Sequence, residues 1–109
     1  MASSLYKLYR EPVNTAAYST LVPAVDGKII GVVALLVTTS ATATLTMCSY
    51  NTATDTTTEL TGDMIVAAGT DVSIEGDMDH APLETLEGES LELVLSAGDA
   101  QGYIVYYLR

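Results

Sequence analysis

The sequence predicts an all-β protein: an antiparallel β-sandwich, jelly-roll-like, with about eight short strands and an extended N-terminal arm. Three observations predict this fold class. Apolar and polar residues alternate with a period of two in several segments, clearest at residues 91–95. Gly, Asp, Asn and Pro recur between those segments at the spacing typical of short strands joined by turns. No segment carries a convincing helical pattern.

Size and composition fit one small domain. The chain has 109 residues, too few to build two separate cores. Apolar residues make up 49% of it, which excludes a disordered chain despite the high net charge. Phe and Trp are absent, so the core must be built from aliphatic side chains, Met and Tyr.

We divide the chain into an extended N-terminal arm, residues 1–16, and a β-sandwich domain, residues 17–109. The arm holds two tyrosines and two of the four basic residues of the chain. We expect it to pack on a neighbouring subunit, with Lys7 and Arg10 meeting acidic groups and Tyr6 and Tyr9 adding aromatic contact. The alternative is a disordered terminus, which is common where nothing holds the end of a chain.

The first half of the domain reads as three strands. Residues 18–22 are β-rich and end at a proline, and residues 25–28 have the composition of a turn. Residues 29–39 are almost all apolar and β-branched, which predicts a strand covered on both faces. Gly31 inside it predicts a bulge or a close approach of backbone. Residues 43–50 alternate, which predicts a strand with one solvent face.

The second half continues with shorter elements. A loop at residues 51–55 leads to three strands separated by glycine turns, and a long acidic connection covers residues 76–88. The final two strands flank a loop at residues 97–102, and we expect them to form a hairpin. The strands predicted in this half are residues 56–61, 64–67, 71–75, 90–95 and 103–108.

The charge distribution excludes several partners. Fourteen acidic and four basic residues give a net charge of −10, and residues 29–108 contain no Lys or Arg. A body of that sign repels nucleic-acid phosphates and anionic lipid headgroups. We therefore expect no nucleic-acid and no membrane partner. The charge suits a solvent-facing surface or contact with a basic protein.

The compartment follows from the cysteine count and the apolar runs. Cys48 is the single cysteine, so an internal disulfide and a multi-cysteine zinc site are excluded. The longest apolar run, residues 29–37, is too short to cross a bilayer as a helix. The N-terminal segment has no apolar run typical of a signal peptide. We expect synthesis and assembly in the cytoplasm.

The sequence offers little for catalysis, and we expect neither an enzyme nor a cofactor. His80 is the only histidine, and Cys48 has no charged sequence neighbour to activate it. Residues 88–92 begin like a nucleophile elbow but lack its final glycine. The acidic segment 71–80 is the best metal candidate, yet it lacks EF-hand spacing. We interpret it as a solvated loop without a metal.

Six segments share a pattern of glycine turns and alternating strands: residues 18–30 (YSTLVPAVDGKII), 60–62 (LTG), 67–69 (AAG), 83–91 (LETLEGESL), 93–97 (LVLSA) and 102–106 (GYIVY). Together they resemble the small all-β structural proteins of tailed-bacteriophage virions. Gly31 and the acidic body depart from that family, whose members usually carry a basic residue after the first Gly-Lys-Ile, and this leaves the docking surface open. The resemblance implies a virion component without catalysis, most simply a capsid decoration (cement) protein. It would bind the major capsid protein on the outer head surface as a homotrimer assembled in the host cytoplasm.

Two other functions remain open at this point. The chain could be a tail- or fibre-associated module that binds a receptor or glycan, if Tyr50, Tyr103 and Tyr107 cluster and stack on sugars. A small enzyme or metal-dependent lyase would instead need a site organised around His80 with the neighbouring aspartates Asp77 and Asp79.

Overall fold

A computed structural model describes residues 6–16 and 18–109 of the chain. These residues form ten β-strands and no helix. The strands are β1 (Tyr9–Thr15), β2 (Tyr18–Val22), β3 (Ile30–Thr39), β4 (Ala43–Asn51), β5 (Thr56–Glu59), β6 (Met64–Val66), β7 (Asp71–Glu75), β8 (Leu83–Glu84), β9 (Ser90–Leu95) and β10 (Ala100–Leu108).

The strands form two antiparallel sheets that pack face to face. Sheet A has the order β1-β10-β3-β7, and β8 pairs with β3 beyond the end of β7. Sheet B has the order β2-β9-β4-β5, and β6 pairs with β4 beyond the end of β5. The predicted antiparallel β-sandwich is therefore confirmed. Each sheet has four strand positions, and one position in each sheet is shared by two short strands. These are β7 and β8 in sheet A and β5 and β6 in sheet B.

The pairing is nested, and this makes the sandwich a jelly roll. The first strand pairs with the last, β1 with β10, and β2 pairs with β9. Further in, β3 pairs with β7 and β8, while β4 pairs with β5 and β6. The chain thus behaves as one long hairpin rolled up until β10 meets β3 and β9 meets β4.

The core lies between the sheets and is aliphatic. Alternate residues of each central strand point inward, so Leu45 and Met47 of β4 face the layer formed by Val32, Leu35 and Ile104. All five are at most 1% exposed. Burial of each such side chain contributes about 1.5–3 kcal/mol.

Strand β3 contains a bulge two residues after the glycine at which the sequence predicts one. The register against β10 shifts between Val105 and Tyr106, where β3 carries one extra residue, Val33. Gly31 itself lies beneath the ring of Tyr107, so what approaches it closely is a side chain and not backbone. The outer side of β3 is only half-buried, at Ala34 and Leu36, whereas the sequence predicts cover on both faces.

Four further features of the chain differ from the sequence-based expectation. Residues 9–15 of the predicted arm form β1 inside sheet A, and residues 83–84 of the long connection form β8. The expected final hairpin is wrong, because β9 lies in sheet B and β10 in sheet A. The outer side of β4 is buried at Thr46 and Cys48 rather than open to solvent.

The division at residue 16 stays a prediction. The described part of the arm is extended, as expected, and belongs to the sheet. Residues 1–5 of the arm, and Ala17 at the predicted boundary, lie outside the described residues.

Candidate subunit-contact site

Two of the four predicted contact residues stack on tyrosines of β10. Tyr6 stacks on Tyr107 with ring centroids 5.3 Å apart and planes inclined by 17°. Tyr9 stacks on Tyr106 at 5.3 Å and 19°. Offset stacking of this kind contributes about 0.5–1.5 kcal/mol beyond simple burial. The aromatic residues of the arm therefore help to hold it on its own sheet.

The two cations of the arm lie over rings as well. The Nζ atom of Lys7 is 5.1 Å from the ring centroid of Tyr9, and the Cζ atom of Arg10 is 4.3 Å from that of Tyr103. Cation–π contacts at exposed sites contribute about 0.5–1 kcal/mol. Arg10 and Lys7 are exposed, so their charges still face solvent. Contact with a neighbouring subunit stays a prediction for these residues.

A pocket of about 330 Å³ opens beside the arm. It joins three regions that the sequence left separate: Tyr6 from the arm, the acidic loop around His80, and the end of β10. Its lining residues are Tyr6, Met78, Asp79, His80, Ala81, Glu84, Tyr107 and Arg109.

Glu84 organises the floor of this pocket. The Tyr107 hydroxyl and Arg109 Nε donate to its Oε2 atom at 3.0 Å and 3.1 Å, and Arg109 Nη2 donates to its Oε1 atom at 3.2 Å. The hydrogen bonds from Arg109 hold the pKa of the Glu84 carboxyl below its ordinary value. Burial, and then the bond to Glu84, raise the pKa of Tyr107. No sequence motif predicts this group of side chains, because its members are separated in the sequence. Glu84 lies in β8, Tyr107 lies near the end of β10, and Arg109 follows that end.

The acidic loop uses its carboxylates locally. Asp77 Oδ1 accepts the backbone N–H groups of Asp79 at 2.9 Å and His80 at 2.8 Å, and lies 3.4 Å from His80 Nδ1. The bond from the His80 backbone lowers the pKa of Asp77. Across residues 6–16 and 18–109, no three His, Cys, Asp or Glu side chains are grouped as metal ligands.

The three tyrosines considered for sugar binding are not brought together. Tyr103 and Tyr107 lie on the outer side of sheet A, whereas Tyr50 lies on the outer side of sheet B. Tyr107 is 1% exposed. The Tyr50 hydroxyl donates to Asp55 at 2.5 Å, and this bond raises its pKa. A joint stacking site of these three rings is therefore not present.

Sheet B carries a buried carboxylate that the sequence did not single out. Glu92 is 2% exposed and accepts hydrogen bonds from Thr20 at 2.6 Å and Ser90 at 2.8 Å. Cys48 lies opposite it on β4. Burial, and then the nearby carboxylates beginning with Glu59, raise the pKa of the Cys48 thiol, so this thiol is a poor nucleophile. The alternation of β9 could have placed Ser90 and Glu92 on one side, but gave no sign that this side is covered.

Among the described residues, no helix has the length and hydrophobicity that spanning a lipid bilayer requires. No protein-family model matches the chain, and no curated protein matches its sequence. Among solved structures, a chain of the T13 viral particle of infectious bursal disease virus aligns with 96% of this chain at a TM-score of 0.53 and 14% identity. The present chain spans 31% of the length of that viral chain.

Two further structures have lower scores. A chain of the disulfide-linked pili of Bacillus endospore appendages aligns with 99% of this chain and 91% of its own length, at a TM-score of 0.48 and 13% identity. A chain of the Gx strain of infectious bursal disease virus aligns with 96% of this chain and 33% of its own length, at a TM-score of 0.48 and 17% identity. At these identities the likeness shows an all-β fold and nothing finer.

Proposed function

We propose that this chain is a structural protein of a bacteriophage virion, a capsid decoration (cement) protein that binds the outer head surface and stabilises it. The observation that supports this most is the jelly-roll topology, which aligns with a chain of a viral particle over 96% of the present chain. Jelly rolls recur in viral capsid and lectin domains. The resemblance of the sequence to small virion proteins of tailed phages supports the phage assignment.

The charge supports a position on the outside of a head. The net charge is −10, and the strands of sheet B contain no Lys or Arg. Such a surface repels the packaged genome and tolerates solvent. We propose the major capsid protein as the partner and a homotrimer as the docked form. The fold needs no disulfide, so assembly in the reducing host cytoplasm is compatible with it.

Immunogold labelling of intact virions tests the location. An antibody against this chain is applied to purified particles, and gold is counted separately on heads and tails. Dense, regular labelling of heads supports a decoration protein. Labelling confined to tail tips or fibres contradicts it.

Heating of virions tests the stabilising role. Particles from a phage that lacks the gene are expected to release their DNA at a lower temperature than complete particles. Adding the purified chain should restore the higher temperature, while an unrelated protein of similar size and charge should not. If the release temperature is the same with and without the chain, the stabilising role is wrong.

A second candidate is a tail- or fibre-associated module that binds a receptor or glycan. The observation that favours it is the pocket beside the arm, which Tyr6 lines together with Arg109 and His80. Aromatic faces and charged hydrogen-bond donors suit small polar ligands. A glycan array without binding, together with labelled heads, would exclude this candidate.

A further inference from the structure

The outer side of sheet A changes in character from one edge to the other. The registers of three strand pairs align Arg10 of β1, Val105 of β10, Ala34 of β3 and Glu75 of β7 in one row across the sheet. Residues paired in register share a face. The row therefore begins with a cation, passes through two apolar side chains and ends with a carboxylate.

The neighbouring row has the same apolar centre. It runs from Pro12 through Tyr103 and Leu36 to Ser73. Tyr103 and Leu36 are half-buried, like Val105 and Ala34 in the first row. Four partly exposed apolar side chains thus form a continuous band in the middle of the sheet. A band of this kind is a common mark of an interaction surface.

The charged ends of the first row have no ionic partner within the part of the chain that the structure describes. The ion pairs there join His80 with Asp77 and Arg109 with Glu84. The Arg10 guanidinium lies over the Tyr103 ring, which leaves the N–H groups in its plane available to a carboxylate. Glu75 is exposed at the edge of the sheet.

Sheet B is a poor surface for contact between copies. Its strands hold no basic residue, and Glu59 is exposed on its outer side, so this face offers no cation to a second acidic copy. The outer side of sheet A also carries carboxylates, at Asp71, Glu75 and Glu84, but Arg10 lies among them. Because opposite charges can pair across an interface only where both are present, sheet A is the better surface for a second copy of this chain.

We propose that the outer face of sheet A is the interface between copies of this chain, related by a rotation axis parallel to its strands. Such a rotation keeps each row at the same height and sets Arg10 of one copy opposite Glu75 of the next. The apolar band then meets at the axis. Both a dimer and a trimer can be built in this way. The proposal therefore specifies the contact surface of the proposed homotrimer, and it rests on that part of the proposed function.

The dimensions of the sheet are sufficient for a specific contact. Strands lie about 4.8 Å apart, so four of them are about 19 Å wide, and a nine-residue strand is about 30 Å long. The flat area is about 570 Å² for each copy, or about 1,100 Å² for two, just above the roughly 1,000 Å² expected of a specific interface. In a trimer, three sheets of this width placed around the axis would each lie about 5 Å from it. That distance is half of the roughly 10 Å that separates two packed sheets.

Sedimentation velocity of the full chain tests the interface through charge reversal. We expect the wild type to associate and Glu75→Arg to raise the dissociation constant on the order of tenfold or more, because attraction becomes repulsion. Arg10→Glu should weaken association similarly, and Arg10→Glu combined with Glu75→Arg should restore it. Association should also weaken as salt is added.

Two variants serve as matched controls. Glu59→Arg changes the net charge as Glu75→Arg does, but lies on sheet B, and Lys28→Glu matches Arg10→Glu in a turn away from the row. Both should associate like the wild type. Circular dichroism confirms folding, and Glu75→Arg carries the test if Arg10→Glu loosens β1.

The interface is wrong if the wild type sediments as a monomer at about 100 μM. It is also wrong if Glu59→Arg dissociates the copies as much as Glu75→Arg does, or if the double reversal restores nothing. Head labelling separates this result from the proposed function. Monomers that still decorate heads refute the interface alone, whereas associating chains absent from virions refute the virion role alone.

Discussion

Replacing Gly31 by alanine should destabilise the protein by displacing one ring. A Cβ atom built at Gly31 would lie 2.6 Å from both Cε2 and the hydroxyl oxygen of Tyr107. Real Cβ atoms essentially never come within 3.0 Å of another atom in this way. Both residues are buried, so the ring cannot simply turn into solvent. The Gly31→Ala change must push the Tyr107 ring away from β3.

The expected loss of stability follows from the contacts that Tyr107 makes. Its hydroxyl donates to Glu84 at 3.0 Å, and a hydrogen bond to a charged group contributes about 1.5–3 kcal/mol. Its ring stacks on Tyr6, worth about 0.5–1.5 kcal/mol. Glu84 is partly exposed, which favours the lower end of the first range. We expect Gly31→Ala to lower the free energy of unfolding by about 2–3 kcal/mol, within the usual cost of overpacking.

Urea denaturation followed by circular dichroism measures this change. Gly62→Ala is the matched control, because a Cβ atom there meets nothing within 4 Å and the backbone is not left-handed. The control should change the free energy of unfolding by less than about 0.5 kcal/mol. Both substitutions add one methyl group, so the difference between them reports the contact with Tyr107.

A double-mutant cycle decides whether the ring is the cause. In a Tyr107→Leu background the clash with the ring is absent, so Gly31→Ala should cost much less than in the wild type. If Gly31→Ala costs the same in both backgrounds, the reasoning from the Tyr107 contact is refuted. A wild-type-like stability for Gly31→Ala alone would refute it as well.

Three further predictions address buried and ionised groups. Ser49→Ala should cost about 1–3 kcal/mol in urea denaturation, because the Ser49 hydroxyl donates to buried Glu89 at 2.7 Å; an unchanged midpoint would contradict this. Glu84 has a folded pKa below its ordinary 4.5, so its pair with Arg109 stabilises the protein above pH 4.5, and this contribution is lost as the pH falls through the folded pKa. The stability difference between wild type and Glu84→Gln should therefore shrink between pH 6 and pH 3, and a constant difference would count against it. The Cys48 thiol, buried and raised in pKa, should react with a thiol reagent at pH 8 only after unfolding, and rapid labelling of the native chain would show otherwise.

Most strands could be predicted from the sequence because their signal is local. The period-two pattern and the flanking turn residues give β2 at Tyr18–Val22 and β7 at Asp71–Glu75 without error in their bounds. β1 at Tyr9–Thr15 was missed as a strand for an equally physical reason. It is an edge strand with mostly polar residues and Pro12, and its place in sheet A depends on pairing with β10 at the far end of the chain.

The candidate site was only partly accessible to sequence reasoning. The tyrosines and cations of the arm stand out by composition, but the rings on which Tyr6 and Tyr9 stack, Tyr107 and Tyr106, lie about one hundred residues further along the chain. The pocket around Glu84 has no local signal, since the same carboxylate would look identical on a solvated loop. The identity of a side chain predicts its chemistry, whereas the strand register determines which other residues it contacts.

The failed hairpin shows why local turn signals do not determine topology. A loop rich in small residues joins β9 to β10, as a hairpin loop would, yet it crosses from sheet B to sheet A. This loop is hydrogen-bonded to a second connection between the two sheets, the one that joins β3 to β4. Ser40 N–H donates to the Asp99 carbonyl at 2.9 Å, Asp99 N–H to Ser40 Oγ at 2.8 Å, and Thr44 N–H to Ser96 Oγ at 2.8 Å. The two connections thus satisfy hydrogen-bonding groups of each other's backbone. A hairpin turn does not need a second connection for this purpose. Whether this loop forms a hairpin or crosses between the sheets therefore depends on residues more than fifty positions away in the sequence.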